Sequence, residues 1–176
     1  PFLLFFFFFD RRRKLEDLVG AFNMLRSQGQ DISLVMVGDS MQGPDTISTS
    51  ESRQAVMDSS YLDEIIFMGF VEDDVREWLY DNALAFVFPS RYEGFGLPVL
   101  EAMQYGTPVI SYKNDATVEV AGNLPIYAES YLDIFESAKD LLENGFSESK
   151  GKAYISHASR YSWAKTSENI IRHLSK

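Results

Sequence analysis

Glu93 and Glu101 stand eight residues apart, with Gly94-Phe95-Gly96-Leu97-Pro98 between them. Two glycines in a turn let the backbone approach a ligand closely. A proline at the first position of a helix gives up no hydrogen bond, because that N–H has no partner inside the helix. The spacing predicts a helix beginning near Leu97, with the N–H groups of Phe95, Gly96 and Leu97 turned outward for phosphate or sugar oxygens. Glu101 then falls one turn into the helix, where a carboxylate can accept two hydrogen bonds from a pair of vicinal hydroxyls. Glu93 precedes the turn, closer to where a sugar beyond the phosphates would lie. The plainer reading is two helix-end charges favoured by the dipole. It serves for either glutamate alone, but poorly for both flanking one glycine turn between two buried strands.

Those strands are the apolar run Ala83–Phe88, stopped by Pro89, and Pro108–Ser111, which follows the helix stop at Gly106-Thr107. Further strand candidates are Phe2–Phe9, Ser33–Val37, Glu64–Met68 and Pro125–Tyr127. Between them, Leu15, Leu18, Val19, Phe22 and Leu25 recur at helical spacing over Lys14–Arg26. Asp73–Asp81, Leu97–Tyr105, Tyr131–Glu143 and Tyr161–Leu174 read as helices as well, and a loop over Ser40–Ser60 enters a helix near Ser50. Asn114 to Glu119 follows the fifth strand, with Glu119 capping a short helix. Strands alternating with amphipathic helices predict an α/β fold, a doubly wound, Rossmann-like parallel sheet of about six strands. No internal repeat or linker interrupts residues 1–176.

The dense basic run Arg11-Arg12-Arg13-Lys14 comes directly after the first strand. At the carboxyl end of a central strand such cations can neutralise a diphosphate, and Arg12 and Arg13 are favoured for it. A solvated helix start is the bland alternative. Gly69-Phe70-Val71 ends the third strand. Its backbone groups are placed to read a nucleobase edge, with Phe70 either stacking on the base or packing in the protein. Val37-Gly38 repeats the strand-then-glycine pattern more weakly.

Bulk composition narrows the function classes. The chain has 176 residues, enough for one domain burying about 70% of its unfolded surface. A net charge of −10 argues against a general nucleic-acid binder. With no cysteine and only His157 and His173, neither a disulfide framework nor a thiolate or histidine metal site is expected. The run Phe2–Phe9 falls short of the ~18 residues of a membrane span and lacks the features of a signal peptide. A start directly in a buried-type strand reads as a piece of a longer protein.

These residues closely resemble the donor-binding half of the retaining, GT-B type glycosyltransferases of family four. The resemblance rests on Phe88-Pro89-Ser90, the run EGFGLPVLE from Glu93 to Glu101 and the run EAMQYGTPVI from Glu101 to Ile110. Phe67-Met68-Gly69-Phe70-Val71, the approach from Leu79-Tyr80 to Ala83, Val118-Glu119-Val120-Ala121-Gly122 and Tyr161-Ser162-Trp163 extend it in order along nearly the whole chain. It implies a nucleotide-diphosphate sugar as substrate, with Glu101 on the ribose hydroxyls and Glu93, the catalytic candidate, beside the transferred sugar. Amides around Phe95 to Leu97 would hold sugar or phosphate oxygens, and Arg13, with Arg12 beside it, the diphosphate. No cofactor or bound metal is implied. Departures from the family pattern are Phe7 and Phe8 where relatives carry glycine, Lys14 where relatives of the Arg-Lys-Asn type have asparagine, and Val118 in place of a common proline. Two rings at positions 7 and 8 would crowd the diphosphate.

A GT-B enzyme catalyses between two domains, and the acceptor-binding N-terminal one is not among these residues. The chain alone is therefore expected to bind donor weakly and transfer little. The leading reading is the donor domain of a hexosyltransferase for a bacterial-type polysaccharide or glycolipid, mannose-like and with a GDP-sugar preferred over a UDP-sugar. The resemblance places it in the cytoplasm, with peripheral association at the inner face of the plasma membrane left open. The competing class is a non-catalytic nucleotide-binding or interaction module on the same fold, which Phe7 and Phe8 favour. A nicotinamide-dependent oxidoreductase is disfavoured, since Gly94-x-Gly96 lacks the third glycine and follows the fourth strand.

Overall fold

The computed structural model describes residues 1–6, 13–38, 42–47 and 49–174. Six strands form one sheet: β1 (Phe2–Phe6), β2 (Ser33–Val37), β3 (Ile65–Gly69), β4 (Ala85–Phe88), β5 (Val109–Tyr112) and β6 (Ile126–Ala128). Their spatial order is β3-β2-β1-β4-β5-β6, and every pairing is parallel. The expected doubly wound α/β sheet is therefore the one observed. The chain winds outward from β1 to β3, returns, and winds the other way from β4 to β6. The reversal opens a crevice beyond the carboxyl ends of β1 and β4, the place where such sheets bind ligands.

Alternation along the strands explains the two layers, since successive side chains point to opposite faces. Leu3 and Phe5 face a core shared with helices α1 (Leu15–Ser27), α2 (Ser50–Met57) and α6 (Tyr131–Asn144). Leu4 and Phe6 face the other core, with α3 (Asp73–Asn82), α4 (Leu97–Gln104), α5 (Asp115–Ala121) and α7 (Glu148–Ala158). Both sides being covered, the central strands β1 and β4 read as continuous apolar runs rather than alternating ones.

Some boundaries differ from the sequence reading. β1 is described only to Phe6, so residues 7–9 of the expected strand, and with them the crowding by Phe7 and Phe8, lie outside the described residues. Asn114, not Glu119, caps α5: its side chain accepts from the Thr117 N–H at 3.0 Å, and Glu119 lies exposed inside the helix. α7 was not anticipated. Its buried residues are Tyr154 and Ala158 alone, so no apolar stripe announces it. It docks where Gly151 meets the end of α4: a Cβ built on Gly106 would stand 3.4 Å from the Gly151 carbonyl oxygen. The last helix, α8 (Trp163–Leu174), leaves Trp163, Ile170, Ile171 and Leu174 exposed.

Buried phenols make this fold sensitive to alkali. Burial pushes the Tyr154 hydroxyl up to about 12, where it donates to the Leu124 carbonyl at 2.9 Å. Tyr112 is raised too, first by burial and then by the Asp17 carboxylate that accepts its hydrogen bond at 2.6 Å. A folded-state value above the unfolded one, near 10, means that the stabilisation is complete below that pH. It declines as the pH rises through the folded value, by about 1.4 kcal/mol per tyrosine per pH unit. Loss of the helix signal in circular dichroism is expected to begin above pH ~10, and a signal unchanged up to pH ~12 would contradict this.

Candidate functional site

The site begins where β4 stops. Pro89 has no N–H to continue the ladder, and its carbonyl accepts from the Lys14 N–H at 3.1 Å. Arg13 and Ser90 form an isolated antiparallel bridge. The segment leading into α1 is thus stitched to the turn leaving β4. Ser90, fully buried, donates its hydroxyl to the Tyr92 carbonyl at 3.0 Å, and its own carbonyl accepts from the Asn114 side-chain amide at 2.8 Å. This turn delivers Glu93 to Arg13.

Arg13 Nε donates to Glu93 Oε1 at 3.2 Å, and the two side chains are only 7% and 10% exposed. Arg13 Nη1 donates to the Phe6 carbonyl at 2.9 Å, and the guanidinium lies over the Phe88 ring, 5.1 Å from its centroid. The arginine therefore joins the ends of β1 and β4 to the acid. A buried pair like this is held by geometry and by its extra hydrogen bonds, not by charge alone.

Beyond Glu93 the chain reaches Gly96, whose φ of +96° and ψ of 33° put it in the left-handed region and turn the backbone into α4. Pro98 sits in the first turn, and no side chain caps the helix start among the described residues. Its leading N–H groups form the positive end of the helix dipole. Gly96→Ala is expected to cost about 1–2 kcal/mol, the penalty of a Cβ in left-handed backbone. The added methyl itself fits, 3.5 Å from Val120 Cγ2. Urea denaturation checks this, and an unchanged midpoint would refute it.

Glu101, one turn into α4, accepts a hydrogen bond from the Tyr80 hydroxyl at 3.2 Å. It lines a cavity of about 500 Å³ together with Arg13, Glu93, Phe95, Gly96 and Leu97. Phe70 and Val71, after β3, form part of its wall, as do Phe6, Val37 and Gly38 from the ends of β1 and β2. A second cavity, of about 580 Å³, shares Arg76, Phe95, Leu97 and Glu101 with the first and extends under Tyr161 and Trp163. The hollow thus lies at the switch point of the sheet, with both acids in it.

Two expected residues stand off this wall. Gly69 ends β3 with a φ of +65°, and its carbonyl accepts from the Gly38 N–H at 2.8 Å. Gly94 is exposed, with open space where its Cβ would be. Arg12 lies outside the described residues. Sequence reasoning missed Arg76 and Tyr80. Arg76 lines both cavities from α3 and pairs with Asp73 at 2.9 Å. Its sequence signal was a lone arginine one turn into the helix that follows Gly69-Phe70-Val71. No group of three or more His, Asp or Glu side chains able to hold a metal ion occurs among the described residues.

The model of the family described as glycosyl transferases group 1 matches residues 1–150. The chain belongs to that family. Among curated relatives, it is 33% identical over 110 residues to O-antigen chain mannosyltransferase B of Escherichia coli, an alignment covering 61% of this chain and 29% of that protein. It is 28% identical over 178 residues to the serotype-specific mannosyltransferase WbdA of Escherichia coli, covering 97% of this chain and 21% of that protein. The fold is that of Anabaena Alr3699/HepE, solved in complex with UDP and glucose, with a TM-score of 0.78 at 20% identity over 99% of this chain and 48% of that one. The chain thus spans less than a third of these two curated relatives. Among the described residues no helix is long and apolar enough to cross a membrane.

Proposed function

We propose that this chain is the donor-binding part of a retaining hexosyltransferase, taking a mannose-like sugar from a nucleoside diphosphate and passing it to a polysaccharide or glycolipid acceptor. The observation that carries this reading is the hollow at the sheet's switch point that holds Glu101, the start of α4 and the Arg13–Glu93 pair together. Glu101 accepts the ribose hydroxyls, and the amides of Phe95, Gly96 and Leu97, at the turn into α4, bind sugar or phosphate oxygens. Glu93, aimed by Arg13, faces the sugar, where positive charge develops as the anomeric bond loosens. In the transfer that bond breaks and its electron pair leaves on the diphosphate. The acceptor hydroxyl forms the new bond, and its proton is given up to the departing phosphate. Arg13 and the helix start stabilise that leaving group electrostatically.

Several relatives carry mannosyltransferase in their names, which supports a mannose-like sugar and, with the arginine-rich run in the sequence after β1, a GDP-sugar ahead of a UDP-sugar. The acceptor side falls to a further, N-terminal domain of the same enzyme, a view supported by the small share of the relatives that this chain spans. Donor nucleotides and the O-antigen relative favour a cytoplasmic enzyme, working beside the inner face of the membrane. Titration calorimetry with GDP, UDP and ADP tests the reading. Binding should be strongest for GDP, and no measurable heat with any of the three would overturn it.

A further inference from the structure

We propose that Tyr80 is a positioning residue for nucleotide binding, its buried hydroxyl holding the Glu101 carboxylate in the orientation that receives the ribose diol. This inference rests on the ribose-binding reading of Glu101 given above.

Tyr80 is 1% exposed, although it sits at the end of α3 beside the hollow. Its ring is stacked against Phe6 with centroids 5.2 Å apart and against Tyr105 at 5.6 Å, with Phe86 edge-on at 5.6 Å. Its backbone carbonyl accepts from the buried Thr107 hydroxyl at 2.7 Å. A ring gripped on three sides and at its backbone leaves the phenol oxygen one position to occupy. There it donates to Glu101 Oε2 at 3.2 Å.

Glu101 gains a fixed direction from this contact. A glutamate on a helix surface samples several rotamers, and ordering it on ligand binding costs affinity. A carboxylate has about four acceptor positions, so one hydrogen bond from Tyr80 leaves ample capacity for two ribose hydroxyls. Burial first, and then the Glu101 charge, raise the Tyr80 hydroxyl well above its ordinary range. It therefore stays protonated, and a donor, at neutral pH. Phe6, one of the rings gripping Tyr80, also lines the hollow, so the brace and the binding wall share a residue.

The test compares GDP with 2′,3′-dideoxy-GDP on wild type and on Tyr80→Phe by titration calorimetry. Tyr80→Phe should weaken GDP about tenfold, the scale of one hydrogen bond to a charged group, and leave dideoxy-GDP unchanged. Equal losses for both nucleotides would mark a merely structural role and overturn the proposal, as would no loss for either. A wild type that binds the two nucleotides equally removes the ribose reading and this inference with it. Ribose preference intact in both proteins removes this inference alone. Should Tyr80→Phe not fold, proton NMR of the wild type decides. A slowly exchanging Tyr80 hydroxyl proton close to the Glu101 methylene protons is expected, and its absence overturns the assignment.

Discussion

Glu101→Ala is expected to weaken binding of a nucleoside diphosphate by about a hundredfold, because two hydrogen bonds to a charged acceptor, each about 1.5–3 kcal/mol, are lost together. The two together come to about 3–6 kcal/mol net of solvation, and a hundredfold, about 2.7 kcal/mol, lies just under the low end of that sum. Glu101→Gln should fall between wild type and alanine, because an amide keeps one acceptor oxygen and loses the charge. Truncation also strips the buried Tyr80 hydroxyl of its acceptor. An unsatisfied buried donor costs about 1–3 kcal/mol of stability, so the alanine variant should melt earlier than wild type while remaining folded. Titration calorimetry and a thermal melt on the same sample measure both effects. Affinity within about threefold of wild type, against that expected loss of two charged hydrogen bonds, would remove Glu101 from the ribose site.

Arg13→Met should be the most destabilising single change in the site, by about 3–5 kcal/mol, the cost of leaving a buried carboxylate without its partner. That is a large share of the 5–15 kcal/mol that holds an ordinary domain together. Three contacts disappear at once: the Glu93 pair at 3.2 Å, the bond to the Phe6 carbonyl at 2.9 Å, and the placement over the Phe88 ring. The diagnostic is the double variant Arg13→Met/Glu93→Gln, which removes the stranded charge and should recover most of the loss. Urea denaturation of the two single variants and the double variant gives the coupling. Simple additivity of the single effects would show that the two side chains do not act as a pair.

Much of this architecture was legible because its signals are local. All six strands appear as short apolar runs bounded by Pro, Gly or Asp, and the turn at Gly94-Phe95-Gly96 with Pro98 behind it announced the start of α4. The shared hollow for Glu93 and Glu101 followed from strand and helix alternation, since both lie at one strand-to-helix corner. The contacts that escaped are those made across the sheet. Arg13 meets Glu93 over a separation of 80 residues, and a basic run beside a strand does not reveal which cation turns inward. Tyr80 and Arg76 belong to α3, whose path back across the sheet brings it beside α4, and spacing alone does not carry that relation. α7 was missed because a helix that buries two side chains and abuts its neighbour through glycine leaves little periodic trace.

The bridge between Arg13 and Ser90, with the Lys14 N–H on the Pro89 carbonyl, has a mechanical consequence. The segment entering α1 and the turn leaving β4 are clamped side by side, so neither can be displaced without dragging the other. On the reading proposed above, Arg13, set for the leaving phosphate, and Glu93, set for the sugar, then shift as one unit and keep their 3.2 Å separation.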